Sequence, residues 1–266
     1  MIIDFHIHYL NVEGFEDKLL REMDRCGVDK SSVSAVEGLV WMARVGSNEE
    51  VSRFVRAHPD RLLGAIYVDP RREDSRDIVR RYAGEGFKSV KMFPPAGYFP
   101  DDERWYPVYE CIEEAGLPIL FHTGLTSLVY EKPEGRRNTS SFYADPMRLD
   151  AVAKAFPKLN ILVAHMGFPY YTEAWSVALV NKNVYLDFAG LSSNTSSPWL
   201  HGAPVVYNAL GRYIPIDWNR VIWGSDNCAP QDKSMEMAKK YFLEMGCEER
   251  FFDGIFGETA RKLIGI

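Results

Sequence analysis

Cysteine is scarce and scattered: Cys26, Cys111, Cys228 and Cys247 contain no C-x-x-C pair, which removes the usual thiolate zinc and dithiol redox motifs. Isolated thiols suit a reducing compartment, so a cytoplasmic protein is expected. No stretch approaches the roughly 18 consecutive apolar residues of a membrane span. The N-terminal residues also lack the basic region, apolar stretch and cleavage site of a signal peptide. Positive charge is in deficit, with 31 Lys and Arg against 37 Asp and Glu for a net charge of −6. That balance gives no electrostatic reason for nucleic acid or an anionic membrane as partner, although a local cationic pocket remains compatible with it. No Gly-rich phosphate loop follows an early strand, and no Pro/Gly/Ser stretch is long enough for a linker.

What is present is apolar. The 266 residues are 46% hydrophobic and 13% aromatic, enough to bury a large core. Short Val/Ile/Leu/Phe runs recur at 2–8 "IIDFHIH", 31–36 "SSVSAV", 62–69 "LLGAIYVD", 87–94 "FKSVKMFP", 118–124 "PILFHTG", 161–167 "ILVAHMG", 184–190 "VYLDFAG" and 221–227 "VIWGSDN". Near-continuous apolar runs bounded by Gly, Pro or Asp read as parallel strands buried on both faces. Between them lie segments of helical period, such as "FEDKLLREMDRCG" with Gly27 as its stop and "NEEVSRFVRAHP" with Asn48 as its cap. Further helices are expected near 170–182 and 203–213. Eight strand–helix units make a single (β/α)₈ TIM barrel over 1–266 the simplest arrangement. Two long connections, 125–144 and 191–203, leave C-terminal strand ends, the face where such barrels carry their sites.

Four of the six histidines fall in these strands. His6 and His8 stand at i and i+2, which projects them from one face. His122 in "FHTG", His165 in "AHMG" and Asp226 in "GSDN" each sit where a strand ends beside glycine or a turn. Leu or Val would fill a barrel more stably than five polar groups, so convergence on one divalent ion is the expectation. Imidazoles and a carboxylate without thiolate suit zinc or another first-row metal, manganese included.

These motifs, in this order, resemble the amidohydrolase superfamily of metal-dependent barrels. The resemblance is nearer to its amidohydrolase-2 branch, which includes aminocarboxymuconate-semialdehyde decarboxylase. It extends along the chain through "EEAGLPILFHTG", "FPKLNILVAHMG" and the C-terminal "FGETARKLIG". The resemblance implies that His6, His8, His122 and Asp226 hold one metal ion. It also implies that His165 acts as an acid/base or polarising group, and that Asp226 doubles as a proton acceptor. Lys91 in "VKMFP" lies where two-metal relatives carry a carboxylated lysine. Its readings are a cation for a substrate carboxylate, a structural lysine, or a carbamate recruiting a second ion.

Arg136, Arg137, Tyr9, Trp41 and Trp199 are the candidate pocket residues, the arginine pair being suited to grip a carboxylate. The expected activity is metal-assisted hydrolysis of an ester, lactone or amide of a small carboxylic acid. The alternatives are nonoxidative decarboxylation of an aromatic or unsaturated acid, and a catalytically silent binding barrel. A homo-oligomer fits any of the three.

Overall fold

The computed structural model describes residues 1–40, 43–127, 129–132, 134, 137–190 and 215–266. Trp41, Arg136, Trp199 and the helix expected over 203–213 lie outside the described residues. The ten described strands are β1 (Ile3–His8), β2 (Lys30–Ser34), β3 (Leu39–Val40), β4 (Leu62–Tyr67), β5 (Ser89–Met92), β6 (Ile119–Phe121), β7 (Val129–Tyr130), β8 (Ile161–Val163), β9 (Val184–Phe188) and β10 (Val221–Trp223). Eight of these run parallel in the order β1-β2-β4-β5-β6-β8-β9-β10, the TIM barrel expected from the alternation. Helices α1 (Phe15–Cys26), α2 (Asn48–Ala57), α3 (Ser75–Gly84), α4 (Tyr106–Glu114), α5 (Leu149–Ala155), α6 (Tyr171–Val180), α7 (Gln231–Glu244) and α8 (Thr259–Leu263) surround the sheet or close its end.

Alternation sorts each strand into two faces. Val33, Ile66, Val90, Met92, Phe121 and Val163 pack outward in one large cluster with the helices. Ile3, Phe5, Leu63, Leu120, Leu162 and Ile222 form a separate core inside the barrel, plugged by Ala260 and Ile264 of the C-terminal segment. Helix ends follow local chemistry. Gly27 caps α1 with φ 68°, a left-handed conformation that costs glycine least. The cap of α2 is Ser47 rather than Asn48: its hydroxyl accepts from Glu50 N while the Glu50 carboxylate accepts from Ser47 N. Serine wins because the reciprocal box satisfies two otherwise orphaned donors.

The seam between β10 and β1 is closed largely by side chains. The Asp226 N–H donates to His6 O at 2.7 Å. The Asn227 amide accepts from His8 N at 2.7 Å and donates to His8 O at 3.1 Å, imitating a neighbouring strand. Asp4 accepts from Ser225 N and from the side chain of Gln231 on α7, both at 2.9 Å. Burial pushes the Asp4 carboxyl up to about 6, against the pull of its hydrogen-bond donors. Gly224 permits the close approach, since a Cβ there would stand 2.5 Å from His6 Cβ.

Two mouth loops also pair: β3, following β2, and β7, following β6, form a small antiparallel sheet. This sheet occupies part of the long connection over 125–144, where no strand was expected.

Candidate metal centre

The pairing of β1 with β2 decides where His6 points. Asp4 pairs with Ser31 and Ile7 with Val33, so β1 carries one extra residue between them. This bulge lets Phe5 join the inner apolar core while His6, the next residue, also faces the axis. Asp4 is thereby turned to the helical side. His8 then follows His6 by plain alternation. Both imidazoles are buried, and their ring centroids lie 5.1 Å apart.

The remaining groups arrive from strand ends. Asp226 follows β10 and directs Oδ1 to His8 Nε2 at 3.3 Å and to His6 Nε2 at 3.6 Å. His122 follows β6, and its Nδ1 lies 3.2 Å from His165 Nε2. Among the described residues, the non-glycine residues with positive φ are His165, Met166, Asp226 and Asn227. Such strained backbone, gathered at the ends of β8 and β10 on either side of β9, marks a site whose side-chain directions matter more than local comfort. Gly190 makes room beside them, since a Cβ there would meet Asp226 Oδ2 at 2.8 Å.

Hydrogen bonding assigns the ring protons. His6 Nδ1 donates to Asp187 Oδ2 at 2.7 Å, leaving Nε2 to accept from Lys91 Nζ at 2.8 Å. Ser34 spends its hydroxyl proton on Ile7 O, so it accepts from His8 Nδ1 at 2.9 Å. His165 Nδ1 donates to the carbonyl of Ala189 at 2.9 Å, so its Nε2 accepts from His122 Nδ1. All four imidazoles therefore carry an unprotonated Nε2, those of His6 and His165 accepting from Lys91 and His122. His8 Nε2 and the Asp226 carboxylate are then two acceptors face to face, and the buried His122 Nε2 has no partner among the described residues. Acceptors crowded out of water without a proton between them call for a cation. His6, His8 and Asp226 offer ligand atoms all within 4.8 Å of one another, which fits a resident divalent ion of the kind that imidazole and carboxylate bind.

Electrostatics agrees with that tautomer pattern. Burial lowers the pKa of His6, His8 and His122, favouring neutral rings with lone pairs to offer. Burial opposes ionisation of Asp226, and positive charge among His6, His8 and His165 lowers its carboxyl well below the ordinary range, a charge that a bound cation supplies when the rings are neutral. Lys91 is fully buried, and that burial pulls its ammonium down to about 8. Burial likewise pushes Asp187 up to about 7.

Of the residues singled out from sequence, the structure brings His6, His8 and Asp226 into one group, with His165 beside it and Lys91 against His6. His122 pairs with His165 instead of joining the three-residue group. Val90 and Met92 face the helices, and Lys91 between them faces the axis, against His6. Tyr9 is a correction. Alternation past His8 turns it outward, where its ring packs on Phe15 and Phe54 and its hydroxyl donates to Glu16 at 2.7 Å. Arg137 is exposed in the loop between β7 and α5. Two residues went unnoticed in the sequence, Asp187 and Ser34. "VYLDFAG" carried a signal for the first, an aspartate near the end of an otherwise apolar strand, as in the histidine strands.

A parallel eight-stranded barrel with imidazoles and a carboxylate gathered at its C-terminal mouth defines the class of metal-dependent barrel enzymes. A family model described as amidohydrolase matches residues 3–266, and the chain belongs to that family, in its amidohydrolase-2 branch. An uncharacterized TIM-barrel protein from Bordetella bronchiseptica superposes with a TM-score of 0.72 at 19% identity, covering 99% of this chain and 98% of that one. 5-Carboxyvanillate decarboxylase LigW from Sphingomonas paucimobilis gives 0.66 at 15% identity, covering 100% and 99%. A probable 2-pyrone-4,6-dicarboxylic acid hydrolase from Acinetobacter baumannii gives 0.67 at 16% identity, also covering 100% and 99%. A stretch of 142 residues is 23% identical to protein fluG of Emericella nidulans, covering 53% of this chain and 13% of that protein. The chain thus spans a small fraction of that relative's length. None of the described helices is long and apolar enough to cross a membrane.

Proposed function

We propose that this chain is a metal-dependent hydrolase holding one divalent ion, zinc or manganese, and cleaving an ester, lactone or amide of a small carboxylic acid. The ligands are His6, His8 and Asp226, with His122 joining through its Nε2. The observation that carries this reading is the 3.3 Å approach of two acceptors, buried His8 Nε2 and part-buried Asp226 Oδ1, with the ring proton already committed to Ser34.

When bound, the ion supplies Lewis acidity, polarising a substrate carbonyl and bringing the pKa of water toward about 7. The chain's own groups do the rest. Asp226 divides its oxygens, Oδ1 toward the His6–His8 pair and Oδ2 toward His165 at 3.9 Å. An ionised carboxylate so divided accepts the proton of the attacking water at Oδ2 and returns it to the leaving oxygen or nitrogen. His165, anchored through Nδ1 to Ala189 O, carries an unprotonated Nε2 that serves as a proton acceptor and donates to a substrate carbonyl only once protonated. Lys91 contributes fixed positive charge beneath the mouth, suited to a substrate carboxylate.

That buried ammonium also favours the second reading, a carboxy-lyase in which Lys91 steadies the departing carboxylate and His165 or Asp226 manages protonation of the carbon. Similarity to a decarboxylase as well as to a probable hydrolase gives this second reading its support. Assay of the metal-loaded chain against small aromatic and cyclic carboxylic acids, their esters and lactones in ¹⁸O-labelled water separates them. Hydrolysis places label in the organic product without releasing carbon dioxide; carbon dioxide release with no label in the organic product would install the carboxy-lyase reading. Metal analysis is expected to give one ion per chain. Two ions, with binding that depends on bicarbonate, would mean a carboxylated Lys91. No stoichiometric ion, with no rise in melting temperature on adding zinc or manganese, would return the chain to a silent binding barrel.

A further inference from the structure

We propose that Asp187 is a positioning residue of the metal centre, with one oxygen fixing the His6 ring and the other receiving Lys91 when a cation takes His6 Nε2. The inference rests on the metal-centre reading above and adds to it a residue that neither sequence motifs nor ligand spacing indicated.

Asp187 lies on β9, paired with Ile222 of β10, and is fully buried. A carboxylate placed among apolar side chains costs several kcal/mol unless its oxygens are satisfied. Oδ2 is satisfied by His6 Nδ1 at 2.7 Å. That bond sets the ring's plane and its tautomer, leaving Nε2 as the atom that faces the mouth. Oδ1 has no hydrogen-bond partner among the described residues. Lys91 is equally buried, and its ammonium donates to His6 Nε2 at 2.8 Å. A divalent ion and an ammonium cannot share one lone pair, because both need it and each repels the other. Ligation by His6 therefore displaces Lys91 Nζ; Asp187 is one of the two carboxylates whose charge acts on that ammonium, and its Oδ1 is open to receive it. The arrangement gives Asp187 two tasks along one line of contacts: it aims the ligand and shelters the ammonium that the metal expels.

The test is metal affinity rather than turnover. Zinc dissociation constants of the full chain are measured by chelator competition for the parent, Asp187→Asn, Lys91→Met and the double variant. Thermal melts of the metal-free forms and absorption spectra of the cobalt-loaded forms accompany them. Asp187→Asn keeps the shape and removes the charge. It is expected to weaken zinc binding about 10- to 100-fold, to alter the cobalt spectrum, and to leave the metal-free melt within a few degrees of the parent. Because the substitution also strands Lys91, the loss is expected to shrink in the Lys91→Met background. If the parent binds one ion while Asp187→Asn binds it within twofold with an unchanged cobalt spectrum, Asp187 has no positioning role and the metal centre stands without it. An equal loss with and without Lys91 would overturn the ammonium half. A parent that binds no stoichiometric ion would sink the inference together with the reading beneath it.

Discussion

The inner space of the barrel is divided into two storeys built from the same strands. Toward the N-terminal end, Ile3, Phe5, Leu63, Leu120, Leu162 and Ile222 fill it with apolar volume closed below by Ala260 and Ile264. Above them stand His6, His8, Lys91, His122, Asp187 and Asp226, almost all buried as deeply. The lower storey pairs every methyl with another and needs nothing from outside. The upper storey holds facing acceptors, an ammonium against a ligand nitrogen and a carboxylate oxygen without a partner among the described residues. On β1 the boundary between the storeys falls within a single peptide, at the bulge where Phe5 and His6 both turn inward. Stability is concentrated below that line, and chemistry, with its cost, above it.

Substitutions can break this division or sharpen it. The largest effect is expected from Asp226→Asn, which removes the charge and the proton acceptor together: turnover falls by about 10²- to 10⁴-fold. Circular dichroism should still report a folded barrel, and parent-like turnover would unseat the assignment. His165→Ala should lower kcat by about 10²-fold with metal content retained; loss of the ion would move His165 into the ligand set. On the lower storey, Leu162→Ala is expected to cost about 2–5 kcal/mol of unfolding free energy, read by urea denaturation. Activity per folded molecule should hold, and a matching fall in kcat would show that the storeys are not independent. The smallest effect is reserved for Tyr9→Phe, which removes the hydroxyl that donates to Glu16. About 1 kcal/mol of stability is expected to go, with kcat/KM unchanged; a changed kcat/KM would put Tyr9 back in the pocket.

Much of this was legible before any coordinates, and the reasons differ by residue. The strands were legible because apolar runs bounded by Gly, Pro and Asp are what a sheet covered on both faces demands. His6 and His8 were legible as a pair because the period of a strand is two. Their shared direction survives the bulge at Phe5 and His6, because plain alternation resumes from His6 to His8. Lys91 was legible only as a direction, opposite to Val90 and Met92, and the structure chose the axis. Tyr9 misled because adjacency in sequence to a ligand is not adjacency in space: one step along a strand reverses the face. Asp187 escaped because a lone strand aspartate gains meaning only from what lies opposite it, and its partner is 181 residues away. The small sheet of β3 and β7 escaped for a related reason. Two-residue strands carry no period, and their pairing joins loops from different parts of the barrel.

By itself the sequence determined the architecture and the kinds of donor available, since both follow from local periodicity and from which side chains stand at strand ends. Only the tertiary structure decided which nitrogen of each ring is bare, which carboxylate steers His6, and which cation occupies the ligand's place in the meantime. Those are matters of a few tenths of an ångström between residues far apart in the chain. They are set when the barrel closes and buried donors must find acceptors.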